Sequence, residues 1–193
     1  EIRIFDFGCG TGGEIIAFLG IIHNICPKLK KIEVAAFDGN HHALRCLEQI
    51  VKELQKKAPF SIILRPIPIE IDDFYDLSLV EDIISGKYDI MFTFKAICEF
   101  VTKERFEQDN AYEHIAKFFM NNLTTNGIAI IEDVTSYNNV ASEWLPKMMD
   151  KGLRSIDCNV IHQNEGYNQL LIVSHSKKKR DISKVAWRVF TKK

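Results

Sequence analysis

The first fifteen residues constrain this chain more than any other stretch. A short apolar run, Ile2 to Phe7, breaks into Gly8-Cys9-Gly10-Thr11-Gly12-Gly13 and restarts as a second apolar run. A buried strand that ends in glycines and resumes as a helix makes a nucleotide-binding corner. Glycine has no Cβ, so the backbone turns sharply there and comes close to a ligand. The first N–H groups of the following helix have no partner inside it and face that ligand. Four glycines in six residues cost helix and strand propensity, and a plain turn returns nothing for that cost.

Two templates fit the corner. Gly8, Gly10 and Gly13 match the dinucleotide pattern G-x-G-x-x-G. Gly8, Gly10 and Gly12 match the tighter G-x-G-x-G, with Asp6 two residues ahead. A carboxylate in the corner repels a pyrophosphate and suits a cationic ligand, so Asp6 favours the second template.

A chain of 193 residues is most simply one domain. No apolar run approaches the roughly 20 residues needed to cross a bilayer, so no membrane association is expected. The five cysteines are widely spaced with no C-x-x-C. That argues against a disulfide framework or a metal site and suits a reducing, cytoplasmic setting. Glu1 falls inside the first predicted strand, so the expectation is a chain trimmed at its N-terminus. The formal net charge of −1 is unevenly spread. Residues 177–193 carry eight basic side chains and one acidic, which leaves the body acidic. A basic tail of this kind holds nucleic acid or serves as a solvated end.

The rest of the chain alternates strand and helix. Residues 2–7 are a strand and 13–23 an unusually apolar helix. Residues 32–37 form a second strand that ends in Asp38-Gly39-Asn40. A carboxylate at that position in a nucleotide-binding α/β fold accepts from both ribose hydroxyls. Asn40 caps a helix over 41–57. A third strand covers 60–64, and Pro66 and Pro68 forbid its continuation inside a sheet. Asp72 and Asp73 either face a ligand or cap a helix over 74–85, which Gly86 ends. A fourth strand runs from Tyr88 to Phe94. Lys95 to Phe100 follow at its carboxyl end, where ligand crevices of open α/β sheets lie. Lys95 and Glu99 are candidates to orient or deprotonate a substrate, and Cys98 reads better as a buried helical thiol than as a nucleophile. A helical region spans 102–123, Asn126-Gly127 is a turn, and 128–131 is a fifth strand that ends in Glu132-Asp133. Asp133 faces a substrate or caps the next segment. A helix over 140–151 ends at Gly152. Strands over 155–162 and 167–175, joined by 163–166, form an antiparallel hairpin. Residues 176–193 are a basic tail or a final packed element, with Trp187 and Arg188 available to stack on nucleic acid.

Asp6-Phe7-Gly8-Cys9-Gly10-Thr11-Gly12 resembles the first motif of the class I S-adenosylmethionine-dependent methyltransferases. The order of parts extends the resemblance over nearly the whole chain, from the acid at Asp38 to the terminal hairpin. It implies a Rossmann-like, doubly wound α/β fold with seven strands in the order 3-2-1-4-5-7-6, strand seven antiparallel. It implies S-adenosylmethionine as cofactor, held by Asp6, Gly8, Cys9, Gly10, Thr11, Gly12, Asp38 and Phe94, with Asp72, or else Asp73 or Glu70, near the adenine amino group. It implies a domain over 1–176 that transfers a methyl group to a small molecule, a protein or RNA. The sequence lacks the N-P-P-Y or D-P-P-Y of enzymes that methylate base amino groups. It also lacks the Pro-Cys pair of those that attack pyrimidines. The alternatives are a non-catalytic domain that keeps this fold, and an NAD-dependent oxidoreductase.

Overall fold

The computed structural model describes the backbone of residues 1–102, 104–166, 171–175 and 178–193. Its side chains are described except at 103, 107, 108 and 167–183. Seven strands form one sheet: β1 (Ile2–Phe7), β2 (Lys31–Phe37), β3 (Ser61–Ile67), β4 (Tyr88–Phe94), β5 (Leu123–Val134), β8 (Cys158–Asn164) and β11 (Val185–Lys192). Their order is β3-β2-β1-β4-β5-β11-β8. The last strand in the chain thus lies between β5 and the next-to-last strand of the sheet, antiparallel to β8. This is the Rossmann-like α/β arrangement expected from the sequence. Two small ladders accompany it: β6 (Tyr137–Asn138) with β7 (Glu143–Trp144), and β9 (Leu171–His175) with β10 (Lys178–Ser183).

The chain divides into two compact units, residues 1–94 with 122–128, and residues 95–121 with 129–193. In the first, β1 lies parallel between β2 and β4. Its last four residues are all buried, as a strand covered on both faces requires. Helix α1 (Gly13–Ile25) follows β1, and α2 (His41–Gln55) follows β2. Asn40 caps α2, its side chain accepting from the His42 and Ala43 amides. Leu44, Leu47 and Val51 form the buried stripe of α2.

Several boundaries differ from the sequence reading. Strand β3 continues through Pro66 to Ile67, because β3 is the edge of the sheet and an edge strand tolerates a missing N–H. Helix α3 (Ser78–Ile83) starts four residues late. Asp76, not Asp72 or Asp73, accepts from the Ser78 amide at its start. Gly86 has φ +74 beyond the helix end, where an added Cβ would lie 2.7 Å from the Arg3 guanidinium. Asn126-Gly127 is not a turn: β5 runs straight through it. The glycine is needed for close approach, since a Cβ at 127 would stand 3.0 Å from the Tyr88 carbonyl.

In the second unit the helical region divides into α4 (Ile97–Phe100), α5 (Arg105–Gln108) and α6 (Ala111–Asn122), with residue 103 outside the described residues. Helix α7 (Leu145–Arg154) does not stop at Gly152. A Cβ there would lie 2.6 Å from the Glu113 amide, so glycine lets α7 press against the start of α6. The expected hairpin of 155–162 with 167–175 is replaced. Strand β8 pairs instead with β11, and 167–170 and 176–177 lie outside the described residues. The reason lies in side-chain pattern: Val185, Ala186, Arg188 and Phe190 are all buried, which suits a sheet interior. A short loop favours the nearer partner, yet β8 takes the farther one. Of the two readings for the C-terminal stretch, 185–192 is therefore an element of the sheet. Arg188 is not offered to nucleic acid. It is fully buried and donates to Asp150 Oδ1 at 2.7 Å and to the carbonyls of Asn164 and Trp187.

Candidate functional site

The register of β1 and β2 builds the corner. Phe7 stands opposite Phe37, so both strands leave the sheet at the same level. The Phe37 carbonyl accepts from the Gly8 and Cys9 amides at 2.9 and 3.0 Å, which ties the glycine turn to the end of β2. Gly8, Gly10 and Gly12 all have positive φ, +74, +50 and +73. At Gly12 a Cβ would collide with Leu47 of α2 at 2.4 Å. At Gly10 it would meet nothing within 4 Å, so that face of the turn is open. Thr11 is exposed and Cys9 is buried. Burial and the neighbouring carboxylates push the Cys9 thiol far above its ordinary range, which leaves it inert.

Asp38 closes the other side. Its Oδ2 accepts from the Gly10 amide and its Oδ1 from the Asn40 amide, both at 2.7 Å. The carboxylate thereby holds the two loops together and keeps a lone pair on each oxygen. Of the acids after β3, Glu70 lies beside Gly39, where an added Cβ would stand 3.4 Å from the Glu70 Cα. Asp72 is exposed. Phe94 is half-buried at the end of β4, its ring centroid 5.2 Å from that of Phe92.

Asp6 is the electrostatic anomaly. It is fully buried, and neither carboxylate oxygen has an N–H or O–H donor among the described residues. Its neighbour is Glu14, in the first turn of α1, and a bond between two carboxyls requires a proton on one of them. Burial, then the Glu14 charge, hold the Asp6 carboxyl well above the ordinary carboxylate range, and Asp38 adds to the effect. Glu14 is raised too, chiefly by burial. None of the three acids forms an ion pair with a described basic residue. Glu14 was missed in the sequence, because an acid in a first helical turn is ordinary.

The second unit holds a separate cluster. Lys95 sits at φ +56, a strained setting for a residue with a Cβ, and its amide donates to the Glu132 carbonyl. Asp133, fully buried, has every oxygen engaged. Oδ2 accepts from the Tyr112 hydroxyl at 2.9 Å and the Cys98 amide at 3.1 Å, and Oδ1 from the Val134 amide at 2.7 Å. Asp133 therefore pins α4 and α6 to the end of β5 and presents no free oxygen. Tyr112 had no sequence signal. Burial and Asp133 raise the Cys98 thiol, which opposes a nucleophilic role. Glu99 is exposed. Among the described residues no group of three or more His, Cys, Asp or Glu side chains is placed to hold a metal ion. No described helix is long and apolar enough to cross a membrane.

No protein-family model matches the sequence, and no curated protein matches it. Solved structures do match in fold. NSun6 from Pyrococcus horikoshii with SFG shares 16% identity at a TM-score of 0.62, over 100% of this chain and 48% of that one. A putative rRNA-methylase from Clostridium thermocellum shares 14% at 0.58, over 99% and 86%. A precorrin-6y C5,15-methyltransferase from Geobacter metallireducens GS-15 shares 12% at 0.55, over 98% and 79%. The chain has the class I methyltransferase fold. That fold carries other chemistry too, since a [4+2]-cyclase is among the matching chains.

Proposed function

We propose that the protein is an S-adenosylmethionine-dependent methyltransferase. One observation carries the reading: a fully buried aspartate without a hydrogen-bond donor, beside Glu14 and Asp38, at an open glycine turn. Buried carboxylates without partners are costly unless a cation completes them. The residues present fit a ligand with a cationic amino-acid end and a ribose. Asp6 takes the ammonium, the open face of Gly10 admits close approach, and the free lone pairs of Asp38 accept from ribose hydroxyls. Cys9, Thr11, Gly8 and Gly12 shape the turn, Phe94 borders the ligand, and Asp72 or Glu70 reaches the base. A dinucleotide fits poorly, because its pyrophosphate would meet the carboxylates.

When bound, the cofactor supplies a methyl group on a sulfonium, already a good leaving group. The chain's task is to position an acceptor in line and exclude water. Lys95 and Glu99 are the groups proposed to orient the acceptor or take its proton. Asp133 acts through Tyr112 and Cys98 by holding α4 and α6 in place. The catalytic domain proposed here covers 1–176, with 177–193 as its final element. The acceptor class is a small molecule, a protein or RNA. The basic residues of 177–193 favour RNA, although Arg188 is spent on the fold.

Calorimetry tests the cofactor. S-adenosylhomocysteine is expected to bind and NAD to give no heat, with Asp38→Ala weakening the first by about tenfold, as for a lost charged hydrogen bond. Tight NAD binding with no response to S-adenosylhomocysteine would point to an oxidoreductase instead. Binding without methyl transfer to any fraction of a cell extract would favour a non-catalytic domain.

A further inference from the structure

Asp6 and Glu14 come from different elements, the end of β1 and the first turn of α1, yet their carboxyls meet out of reach of any described base. Two carboxylates in contact inside a protein cannot both stay ionised, because the repulsion is unscreened there. They share one proton while the site is empty. Resting on the cofactor reading above, we infer that Glu14 is a second carboxylate of the cation site, and that the ligand's ammonium enters by displacing the proton that Asp6 and Glu14 share.

Every charged group facing the pair points the same way. Asp38 lies across the glycine turn, and its charge disfavours ionisation of both Asp6 and Glu14. Cys9, from the turn itself, is a buried neutral thiol. Two influences oppose this at Glu14: the hydrogen bond with the Asp6 carboxyl, and then the Glu14 backbone amide, which donates at the start of α1; both favour the ionised form of Glu14. In the empty site the pair therefore holds one proton between its two carboxyls. An arriving ammonium supplies three donors and a full positive charge. It satisfies both carboxylates at once, so the shared proton has no remaining role and leaves to solvent. The site thus couples ligand capture to proton release. It also selects for the amino-acid end of the ligand rather than for its nucleoside.

Glu14 differs from Asp38 in what it can do. Asp38 already accepts from the Gly10 and Asn40 amides and is half-exposed, so its oxygens have donors without a ligand. Glu14 and Asp6 have no such donors beyond the helix-start amide, so their second ionisation waits for one.

The test is calorimetry of S-adenosylhomocysteine with the full chain in buffers of different ionisation enthalpy, between about pH 5 and pH 8. The expected result is release of about one proton per ligand near neutral pH. Two comparisons make it specific. 5′-Methylthioadenosine, which lacks the amino-acid end, is expected to bind more weakly and release none. Glu14→Gln, which leaves Asp6 buried but removes the facing charge, is expected to keep binding, weakened roughly tenfold, and to release measurably less than wild type. Binding without proton release, equal release with 5′-methylthioadenosine, or undiminished release in Glu14→Gln would each overturn the inference while leaving the cofactor reading intact. No binding of S-adenosylhomocysteine at all would overturn the cofactor reading, and the inference with it.

Discussion

Two aspartates in this protein are equally buried and oppositely solvated. Asp6, at the end of β1, has no described donor on either oxygen. Asp133, at the end of β5, accepts from a tyrosine hydroxyl and two backbone amides. Both carboxyls are raised by burial, but the donors around Asp133 pull it back down, whereas Glu14 pushes Asp6 further up. The difference separates structure from function. A satisfied buried carboxylate organises its neighbours and is finished. An unsatisfied one calls for an explanation, such as a catalytic role or a group outside the chain that completes it.

Breaking the Asp133 side should give the largest effect. Asp133→Ala orphans the Tyr112 hydroxyl and the Cys98 and Val134 amides together. A loss of about 3 kcal/mol or more in unfolding free energy is expected by urea titration. A loss below about 0.5 kcal/mol would mean that Asp133 is not the organising group.

The Asp6 side predicts a trade-off. Asp6→Asn should lower S-adenosylhomocysteine affinity by about 100-fold, which is about 2.7 kcal/mol. The same variant should be the more stable protein when empty. The sign follows from linkage. Asp6 and Glu14 have folded pKa values raised above their unfolded ones. Their contribution is fully present below about pH 4 and is lost as pH rises through the folded values. Asparagine removes that loss, so the difference between variant and wild type should grow with pH and reach on the order of 1 kcal/mol or more by pH 8. Denaturation midpoints across pH measure it, and a variant uniformly less stable than wild type would contradict the assignment.

Tyr112→Phe sharpens the comparison at the small end. It deletes one donor to Asp133 and leaves the two amides in place. The expected cost is about 1 kcal/mol, with S-adenosylhomocysteine affinity unchanged. A matching loss of affinity would tie this cluster to the cofactor rather than to packing.

What was legible in the sequence was local and periodic. The glycine turn, the acid ahead of it and Asp38 after β2 are adjacent in the chain to the strands that place them. Their positions follow from the register of Phe7 opposite Phe37. The parallel pairing of β3, β2, β1 and β4 likewise follows from alternating strand and helix. Sequence also carried a misleading signal at Asn126-Gly127, where a turn dipeptide serves as a close approach to Tyr88 inside β5. Proximity misled it again at β8, whose partner β11 begins about twenty residues after β8 ends, beyond an intervening hairpin.

By itself, then, the sequence determined a glycine turn with an acidic lead at the end of a strand in an α/β sheet. Only the tertiary structure decided which acids are solvated. Asp6 and Asp133 read alike as strand-end carboxylates, since a carboxylate's chemistry depends on donors contributed by distant residues. Tyr112 supplies one to Asp133 across 21 positions. For Asp6 the first turn of α1 brings another carboxylate instead of a donor, and that contact holds both carboxyls above their ordinary range.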